Sequence, residues 1–372
     1  MAEQGSRSSR IRATGRRRVE RGKGRRAVTV AAWSAAGLVL AGGCGLGYVY
    51  TTLNGNIDSV DINAQLRDDD RPRDVDNGSL DILVLGSDTR AGANGEYGRD
   101  EGAARSDTAM ILHVYEGHKK ASVVSVPRDT IIERPDCTDR AGAAVPGQRK
   151  AMFNTAYEVG GPACAVRTVE KMSGIRMDHY VEVDFTGFKK LIDELGGVEI
   201  TTTEPIKDPS SHLDLAAGPH TLTGEQALGL VRTRKGVGDG SDLGRIQLQQ
   251  AFMKAFIEQA RSVGVFTSPK KLWDIADTAT KAIRPDSELD SVKELADFAG
   301  GLGKLGADDV EMITLPVRYD PADLNRVIPL QAQSQQVWTA LRADLPIPAS
   351  ATEDTAKGRA DGVVKQGHGG PE

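Results

Sequence analysis

Arginine and glycine are concentrated in one short stretch, residues 231–250, which reads VRTRKGVGDGSDLGRIQLQQ. Arginine carries a planar, permanently charged group whose paired donors suit phosphate oxygens. A glycine-rich turn lets the backbone approach a ligand closely, and a helix that begins beside it adds free N–H groups. The stretch therefore indicates a phosphate or pyrophosphate site, with a solvated basic turn and ordinary ion pairs as the plainer alternative. The residues expected to form it are Arg232, Arg234, Asp242, Arg245 and Gln249.

Further charged residues lie at the ends of predicted strands. A run such as LDILVLG at 80–86 is typical of a buried strand, and ligands of open α/β sheets bind where strands end. An Arg-Asp step at a strand end is commonly a local ion pair of little energetic value, and we interpret Asp129 and Asp239 in that way. The charged pairs at strand ends are Asp88 with Arg90, Arg105 with Asp107, and Arg128 with Asp129.

Two of these aspartates could share a metal ion. Asp88 follows the first predicted strand, and Asp107 begins the second, 106–115. If the second strand runs antiparallel to the first, its start lies beside the other's end and the two carboxylates face each other. Mg²⁺ needs few protein ligands and keeps phosphate oxygens or waters as the others. Each aspartate taken alone is more often a cap on a neighbouring N–H group.

The elements that would position these residues alternate between strand and helix, with one hairpin turn at 116–119. This order predicts the α/β class, with a mixed central β-sheet flanked by helices. A Thr223–Gln226 capping box predicts one helix start, and 204–219 is expected to be a polar loop. The other predicted helices are 150–160, 162–173, 185–195, 242–261, 269–282, 289–302 and 331–342, and the other strands are 121–126, 178–184, 198–203 and 310–317.

The amino terminus predicts a membrane anchor. Residues 1–26 carry a dense run of arginines, and 27–50 form an uncharged apolar stretch long enough to cross a bilayer. The positive-inside rule keeps the arginines in the cytoplasm and places the rest outside. A cleaved signal peptide is one alternative, and a lipoprotein signal ending at Cys44 is another. A basic tail on an acidic body disfavours binding of nucleic acid by the folded domain.

These observations predict five segments. Residues 1–26 are a cytoplasmic tail, 27–50 a single-pass N-terminal membrane anchor, 51–78 an extracytoplasmic spacer, 79–346 the catalytic domain and 347–372 a disordered tail. Outside a membrane cysteines tend to pair, and Cys137 and Cys164 are the two that follow the apolar run. We therefore predict a Cys137–Cys164 disulfide, with two free buried thiols as the alternative.

The motifs together resemble the LytR-CpsA-Psr family of cell-wall phosphotransferases over residues 80–345. Those that carry the resemblance are Asp81 to Arg90 (DILVLGSDTR), Arg105 to Thr108 (RSDT), Val126 to Asp129 (VPRD), Asp178 to Asp184 (DHYVEVD) with Gly187-Phe188, Gly196 to Val198 (GGV), Val231 to Arg234 (VRTR), Asp242 to Arg245 (DLGR) and Gln249-Gln250. The glycine, arginine and alanine usage further suggests an actinobacterial source.

The resemblance implies an Mg²⁺-dependent enzyme whose catalytic domain lies outside the cell membrane. It would transfer a glycopolymer phosphate from a polyprenyl-pyrophosphate carrier to peptidoglycan, at the muramic acid 6-hydroxyl. Asp88 and Asp107 resemble the Mg²⁺ ligands. Arg128, Arg232, Arg234, Asp242 and Arg245 would be catalytic, with Asp242 as a base or as an orienter of arginines. The implied pyrophosphate ligands are Arg90, Arg105, Arg128, Arg232, Arg234, Arg245 and Gln249.

Two departures and two rival functions accompany this resemblance. Leu248 stands where the family often has Arg or Lys, and the loop between Asp88 and Asp107 is longer than in many members. A hydrolase of the carrier pyrophosphate would share every residue named. A non-enzymatic, membrane-anchored regulator that binds polyprenyl phosphate is the other rival. Helices 185–195 and 251–260 are candidates to line a groove for the lipid.

Overall fold

The computed structural model describes residues 47–66, 71–87, 106–139, 141–262 and 268–367. Contacts group Thr52–Glu372 into one compact unit and Met1–Thr51 into another, and the core and the site belong to the former. Within the described ranges, no helix combines the length and apolar character that a membrane crossing requires. The predicted anchor at 27–50 falls almost entirely outside these ranges, as does the basic tail at 1–26.

A six-stranded mixed sheet forms the centre of the molecule, in the order β13-β8-β1-β2-β3-β14. β1 (Leu80–Ser87) runs antiparallel to β2 (Ser106–Val114) and parallel to β8 (His179–Asp184). β3 (Ala121–Ser125) is antiparallel to β2 and parallel to β14 (Val310–Thr314). The mixed sheet and the antiparallel β1–β2 pair agree with the predictions.

Side chains alternate between the two faces of this sheet, as strand geometry requires. Leu83 and Leu85 of β1 enter a large core with α2 (Asn154–Ser173) and α8 (Gln331–Arg342). Ile82 and Val84 enter a second core on the opposite face. The first face is thus sealed by two helices, whereas several strand residues on the second face are only half-buried.

A third core supports the arginine-rich stretch. Helices α3 (Phe185–Glu194), α4 (Gly224–Arg232) and α5 (Asp242–Ser262) pack against a small sheet of order β12-β9-β17. The predicted capping box at Thr223 and Gln226 starts α4. Leu248, one of the family departures, is 1% exposed in this core.

The predicted disulfide is present. Cys137 and Cys164 are bonded, with a Cα–Cα distance of 5.5 Å. The bond joins a small two-stranded sheet, β5 (Cys137–Thr138) with β6 (Ala144–Val145), to α2. The backbone of α2 is not helical at Gly160 and Gly161, directly before Pro162, so the predicted break between the helices 150–160 and 162–173 is confirmed, although the first of them begins at Asn154.

Three sequence predictions are wrong. The tail predicted as disordered from 347 is ordered over 347–367, since β17 (Val364–Gln366) pairs with β9 (Val198–Thr202) and Val363 and Val364 are buried. The predicted loop 204–219 contains strands because alternate residues there are buried. Residues 148–152 form a strand paired with β4, not a helix start.

The remaining elements complete the chain. They are the helix α1 at residues 47–56 and the helices α6 (Pro269–Ala282) and α7 (Val292–Leu302), with the strands β4 (Ile131–Arg134), β7 (Gln148–Met152), β10 (Ile206–Asp208), β11 (Leu213–Leu215), β12 (Gly218–Leu222), β13 (Ile283–Pro285), β15 (Val317–Asp320) and β16 (Asp323–Pro329).

Candidate functional site

The end of α4 carries two of the predicted site arginines, Arg232 and Arg234. Thr233 follows the helix with an extended backbone, at φ −59° and ψ 133°. Its side chain is fully buried, donating to Gly229 O at 2.8 Å and lying 2.8 Å from Ser211 Oγ. Because neighbours in extended backbone point to opposite sides, burial of Thr233 turns Arg234 outward, whereas Arg232 is the last residue of the helix itself.

Asp208 fixes the turn that follows. Its Oδ2 accepts from the backbone N–H groups of Arg234 at 2.9 Å and Lys235 at 3.0 Å. Burial alone would raise the pKa of Asp208, but hydrogen bonds from Ser210 and from these two N–H groups outweigh it and lower the pKa. Sequence reasoning missed Asp208, since it lies in the stretch predicted to be a loop.

One oxygen of Asp242 organises three guanidinium groups. Asp242 Oδ1 lies 3.0 Å from Arg234 Nη2 and 3.8 Å from Arg128 Nε, and it pairs directly with Nη2 of Arg245. The Arg245 side chain is only 5% exposed. Since Asp242 is the first residue of α5, the helix start places a carboxylate among cations that would otherwise repel one another.

Arg128 and Asp129 reach this cluster from the end of β3. Asp129 Oδ2 lies 3.5 Å from Arg128 Nε and 3.8 Å from Arg234 Nη2. Asp129, which we interpreted as a local ion pair, therefore also contacts an arginine more than a hundred residues away. We call Arg128, Arg232, Arg234 and Arg245, with Asp129 and Asp242, the arginine cluster.

The cluster has hydrogen-bonding capacity left for a ligand. Arg234 Nε and Asp242 Oδ2 are buried and have no hydrogen-bond partner among the described residues. Buried polar atoms are normally paired, so such atoms point to a missing partner. Four guanidinium groups against two carboxylates also leave an excess of positive charge, which suits a polyanion such as pyrophosphate.

Arg232 and Gln249 occupy the rim nearest β1 and β2. The Arg232 guanidinium carbon lies 5.3 Å from the centre of the Phe185 ring, within cation–π range. The side-chain amide of Gln249 donates to Thr108 Oγ1 at 3.0 Å and to Val231 O at 2.8 Å. Gln249 thus ties α5 to β2 and to α4, and its predicted contact with pyrophosphate stays a prediction.

The predicted metal ligands are described only in part. Asp88, Arg90 and Arg105 lie outside the described residues, and for Asp107 the backbone alone is described. Ser87 pairs with Ser106, after a register shift between Gly86 and Ser87, so the chain positions next to the two aspartates meet at one edge of the sheet. No group of three or more acidic, histidine or cysteine residues suited to a metal ion occurs within the described ranges, which exclude Asp88 and the Asp107 side chain.

A cavity of about 440 Å³ adjoins the cluster on the side of the first core. Tyr319 and Val327 of the β15–β16 hairpin pack with that core and line one wall. Leu324, at the tip of the hairpin, is 72% exposed. The residues that line the opposite wall are Pro127, Asp129, Arg234, Asp239, Gly240, Ser241, Asp242 and Leu243.

The opposite face of the sheet carries an apolar slot. Its strand residues are half-buried: Val84, Met110, Leu112 and Val181 lie in central strands, and Met312 lies in the edge strand β14. The half-buried helix residues Ile257, Phe298 and Leu302 pack against this cluster. Central strand positions of a sheet covered on both faces are normally sealed. We call these eight residues the apolar slot.

Two helices were predicted to line a groove for the lipid, and the structure places a residue of only one of them, α5, in the apolar slot. α5 contributes Ile257 to the slot. Phe188 of α3 instead packs with Phe252 in the third core, at a ring-centroid distance of 5.8 Å.

Comparison with known proteins identifies relatives of the whole domain. The family profile described as LytR_cpsA_psr family matches residues 49–343. The polyisoprenyl-teichoic acid–peptidoglycan teichoic acid transferase TagT of Bacillus subtilis is 31% identical over 342 residues, covering 89% of this chain and 98% of TagT.

An actinobacterial relative is matched over less of its length. The cell wall biosynthesis protein LcpA of Corynebacterium glutamicum is 32% identical over 265 residues, which cover 64% of this chain and half of LcpA. Among solved structures, TagT bound to LIIa-WTA superposes with a TM-score of 0.56 at 27% identity, covering 77% of this chain and 99% of that one.

Proposed function

The chain belongs to the LytR-CpsA-Psr family, and from this premise we propose that it transfers a glycopolymer phosphate from a polyprenyl-pyrophosphate carrier to the muramic acid 6-hydroxyl of peptidoglycan. The observation that carries the proposal is the arginine cluster, ordered around Asp242 Oδ1. Transfer of this kind requires positioning and neutralisation of charge more than covalent chemistry, and the cluster offers both. The name of TagT describes the same class of reaction in that protein, and the name of LcpA gives a role in cell wall biosynthesis.

The four arginines would bind the two phosphates of the donor. Arg234 and Asp242 retain buried unpaired atoms, which a phosphate oxygen and a hydroxyl or bound water could satisfy. Asp242 acts in this proposal as the orienter of arginines, since its Oδ1 already contacts three of them. Arg90, Arg105 and Gln249 complete the proposed set of pyrophosphate ligands.

The lipid of the donor would occupy the apolar slot. The half-buried strand positions Val84, Met110 and Val181 offer a hydrocarbon chain a surface that protein side chains do not fully cover. Removing such a surface from water is worth about 25 cal/mol per Å², so a long prenyl chain gains substantial affinity there. The slot residue Val84 lies three residues before β1 ends at Ser87.

A magnesium ion remains part of the proposal. The Ser87–Ser106 pairing brings the segments that carry Asp88 and Asp107 to one sheet edge, and two carboxylates beside phosphate oxygens suit Mg²⁺. When bound, the ion would neutralise charge on the pyrophosphate. We also propose that 27–50 anchors the chain as a single-pass segment, with the catalytic domain outside the cell membrane, where carrier and peptidoglycan are both accessible.

The test uses the full chain in detergent with a labelled polyprenyl-pyrophosphate disaccharide, Mg²⁺ and uncrosslinked peptidoglycan, and mass spectrometry of the products. Label attached to peptidoglycan is the expected result. Free phosphorylated disaccharide alone would replace the transferase by the hydrolase, and tight donor binding without turnover would replace it by the lipid-binding regulator. Omitting Mg²⁺ in a parallel reaction tests the metal.

A matched pair of arginine variants checks the site. Arg245→Lys keeps the charge but loses the paired donors, and we expect transfer to fall about 100-fold, a loss of about 2.7 kcal/mol in transition-state stabilisation. Arg284→Lys is the control, because the Arg284 side chain, on β13, is 46% exposed and pairs with Asp58. Equal activity of the two variants would place the chemistry elsewhere.

A further inference from the structure

We propose that the cavity between the β15–β16 hairpin and the 239–243 turn is the subsite for the acceptor sugar, and that Asp129 accepts the proton of its attacking hydroxyl. This inference rests on the proposed function and extends it to residues that the pyrophosphate site does not require. Four features of the described residues carry it: the side of the sheet on which the cavity opens, its size and lining, the longer ion pairs of Asp129, and the attachment of the hairpin.

The first feature is the position of the cavity relative to the lipid. The cavity walls include Leu243 and Val327, which belong to the core on the Leu83 and Leu85 face of the sheet. The apolar slot opens on the Val84 face. Because attacking and leaving oxygens lie roughly in line in phosphoryl transfer, a donor with its lipid in the slot requires a nucleophile from the opposite face. The cavity is on that face.

The second feature is the character of the walls. A cavity of about 440 Å³ is of the size that holds small ligands, about 300–1,000 Å³, and has room for a sugar ring with its substituents. Tyr319 offers an amphipathic ring face, and Asn325, Ser241 and Asp239 offer donors and acceptors at the rim. This mixture suits a sugar, which presents an apolar ring face and a border of hydroxyls. It does not suit a second lipid.

The third feature distinguishes Asp129 from Asp242. Asp242 Oδ1 is shared by three arginines, one of them in direct contact. The carboxylate of Asp129 makes two longer ion-pair contacts, at 3.5 Å and 3.8 Å, both through Oδ2. Asp129 is therefore held less tightly than Asp242 within the described residues, and in this proposal its Oδ1 takes the hydroxyl proton in the cavity that Asp129 lines. Two neighbouring carboxylates in different surroundings commonly divide the work of orienting and of proton transfer.

The fourth feature attaches the hairpin to the catalytic segment. The backbone N–H of Val327 donates to Asp129 O at 3.4 Å, and Thr130 forms a bridge with Val327. The wall that carries Tyr319 is thereby held to the residue that would act on the acceptor.

The proposed transfer step needs no further reactant. The hydroxyl oxygen bonds to the glycan phosphorus, the bond to the lipid phosphate breaks, and the proton passes to Asp129 and then to solvent.

Steady-state kinetics of the full chain, with donor and acceptor varied separately, test the assignment. We expect Asp129→Asn to lower kcat for transfer at least about 100-fold, the range of a lost general base, with the donor Kd unchanged. We expect Tyr319→Ala to raise the KM for uncrosslinked glycan strands about 10-fold and to leave the KM for the donor unchanged. Asp297→Asn is the matched control, since Asp297 is 70% exposed on α7.

Three results would overturn the proposal. One is an Asp129→Asn variant with at least a third of the wild-type kcat. Another is a Tyr319→Ala variant whose donor KM rises while the acceptor KM does not, which would give the cavity to the donor's glycan. The third comes from binding alone. Titration of the wild-type chain with a muramic-acid-containing disaccharide, followed by saturation-transfer NMR, should show contact that Tyr319→Ala weakens. Absence of contact would exclude the acceptor subsite. Contact without any turnover would retain the subsite and contradict the proposed transfer function.

Discussion

One carboxylate oxygen of Asp242 contacts three guanidinium groups. Asp242 Oδ1 contacts Arg128, Arg234 and Arg245, so the geometry of three guanidinium groups depends on one atom. Removing one partner of a partly buried ionic network leaves the others uncompensated, which costs more than the loss of one contact. The arginines would separate, although their total positive charge would still attract a pyrophosphate.

Asp242→Asn should therefore uncouple binding from turnover. We expect kcat for transfer to fall about 100-fold, about 2.7 kcal/mol, while the donor Kd changes by less than about threefold. Rapid-quench turnover and equilibrium binding of the labelled donor measure the two quantities separately. A parallel loss of binding and turnover would show that Asp242 does not act by orienting arginines.

Asp178 is the clearest titrating residue outside the site. Its Oδ2 accepts from Asp81 N at 2.7 Å. Burial, joined by the nearby carboxylates of Asp81 and Asp74, raises the pKa of Asp178 to about 6 from an ordinary value of 3.8. The folded chain then binds more protons than the unfolded chain between pH 4 and 6, so this group lowers stability as pH rises through that window.

Asp178→Asn should remove this dependence. The asparagine carbonyl can still accept from Asp81 N, so we expect the variant to be more stable than the wild type at pH 7 and equal to it at pH 4. The difference should be about 1–2 kcal/mol, less than a two-unit shift would give, because the side chain is partly exposed. Chemical denaturation at both pH values measures it, and an equal gain at both would contradict the assignment.

At the scale of elements, the disulfide joins β5 to α2, which also approach each other closely at Gly160, where an added Cβ would stand 2.7 Å from Thr138 O. Cys137 lies in a two-residue strand, and Cys164 lies just beyond the kink of α2. A bridge that closes a loop of 27 residues stabilises the folded chain mainly by restricting the unfolded one, by about 3 kcal/mol.

A Cys137→Ser/Cys164→Ser double variant should lose about that amount of stability. Thermal unfolding with and without reductant gives the measurement, and the reduced wild type should match the double variant. Transfer activity at a temperature where both remain folded should be close to wild type, since the arginine cluster lies on other elements. No stability difference would mean that the bridge adds nothing that packing does not already supply.

Local signals made much of the fold predictable. Three predicted elements follow from residues adjacent in sequence, and each is present: the capping box at Thr223, the helix 242–261 and the strand 80–86. The predictions failed where structure depends on distant partners. β17 is short and polar on its own, and it becomes a strand because β9 lies beside it, more than 150 residues earlier in the chain.

The site was predictable in the same measure. Residue type and spacing identified Arg128, Arg232, Arg234, Asp242 and Arg245. The structure brings Arg128, Arg234 and Arg245 to Asp242, and it places Arg232 against Phe185. Asp208 and Tyr319 were missed, because their importance comes from the turn and the cavity they contact and not from any pattern around them. An acidic residue in a polar loop carries no signal until its hydrogen bonds to Arg234 N and Lys235 N are known.

At the scale of the whole molecule, residues 352–367 join parts that are distant in sequence. Ala356 N donates to Val317 O at 2.8 Å, and Ala360 N donates to Gln247 Oε1 at 2.9 Å. Between them Gly358 lies so close to α5 that an added Cβ would stand 2.2 Å from Gly244 N. We call 352–367 the C-terminal strap, because it spans from the β15–β16 hairpin across the start of α5 to β9.

Gly358→Val should disturb the cluster without touching it. The added side chain must push the strap away from Gly244, which loosens the helix start that carries Asp242 and Arg245. We expect kcat to fall about 10-fold and hydrogen exchange of residues 242–249 to rise. Gly300→Val is the matched control, since an added Cβ at Gly300 has nothing within 4 Å. Unchanged exchange at 242–249 would show that the strap does not brace the helix.

The position of the strap in the chain has a consequence for biosynthesis. Its residues leave the ribosome after every arginine of the cluster, so a growing chain carries the charged side chains before it has the support that aligns them. Under the proposed function, an incomplete or clipped chain would still attract the pyrophosphate of its carrier but would transfer the glycopolymer slowly.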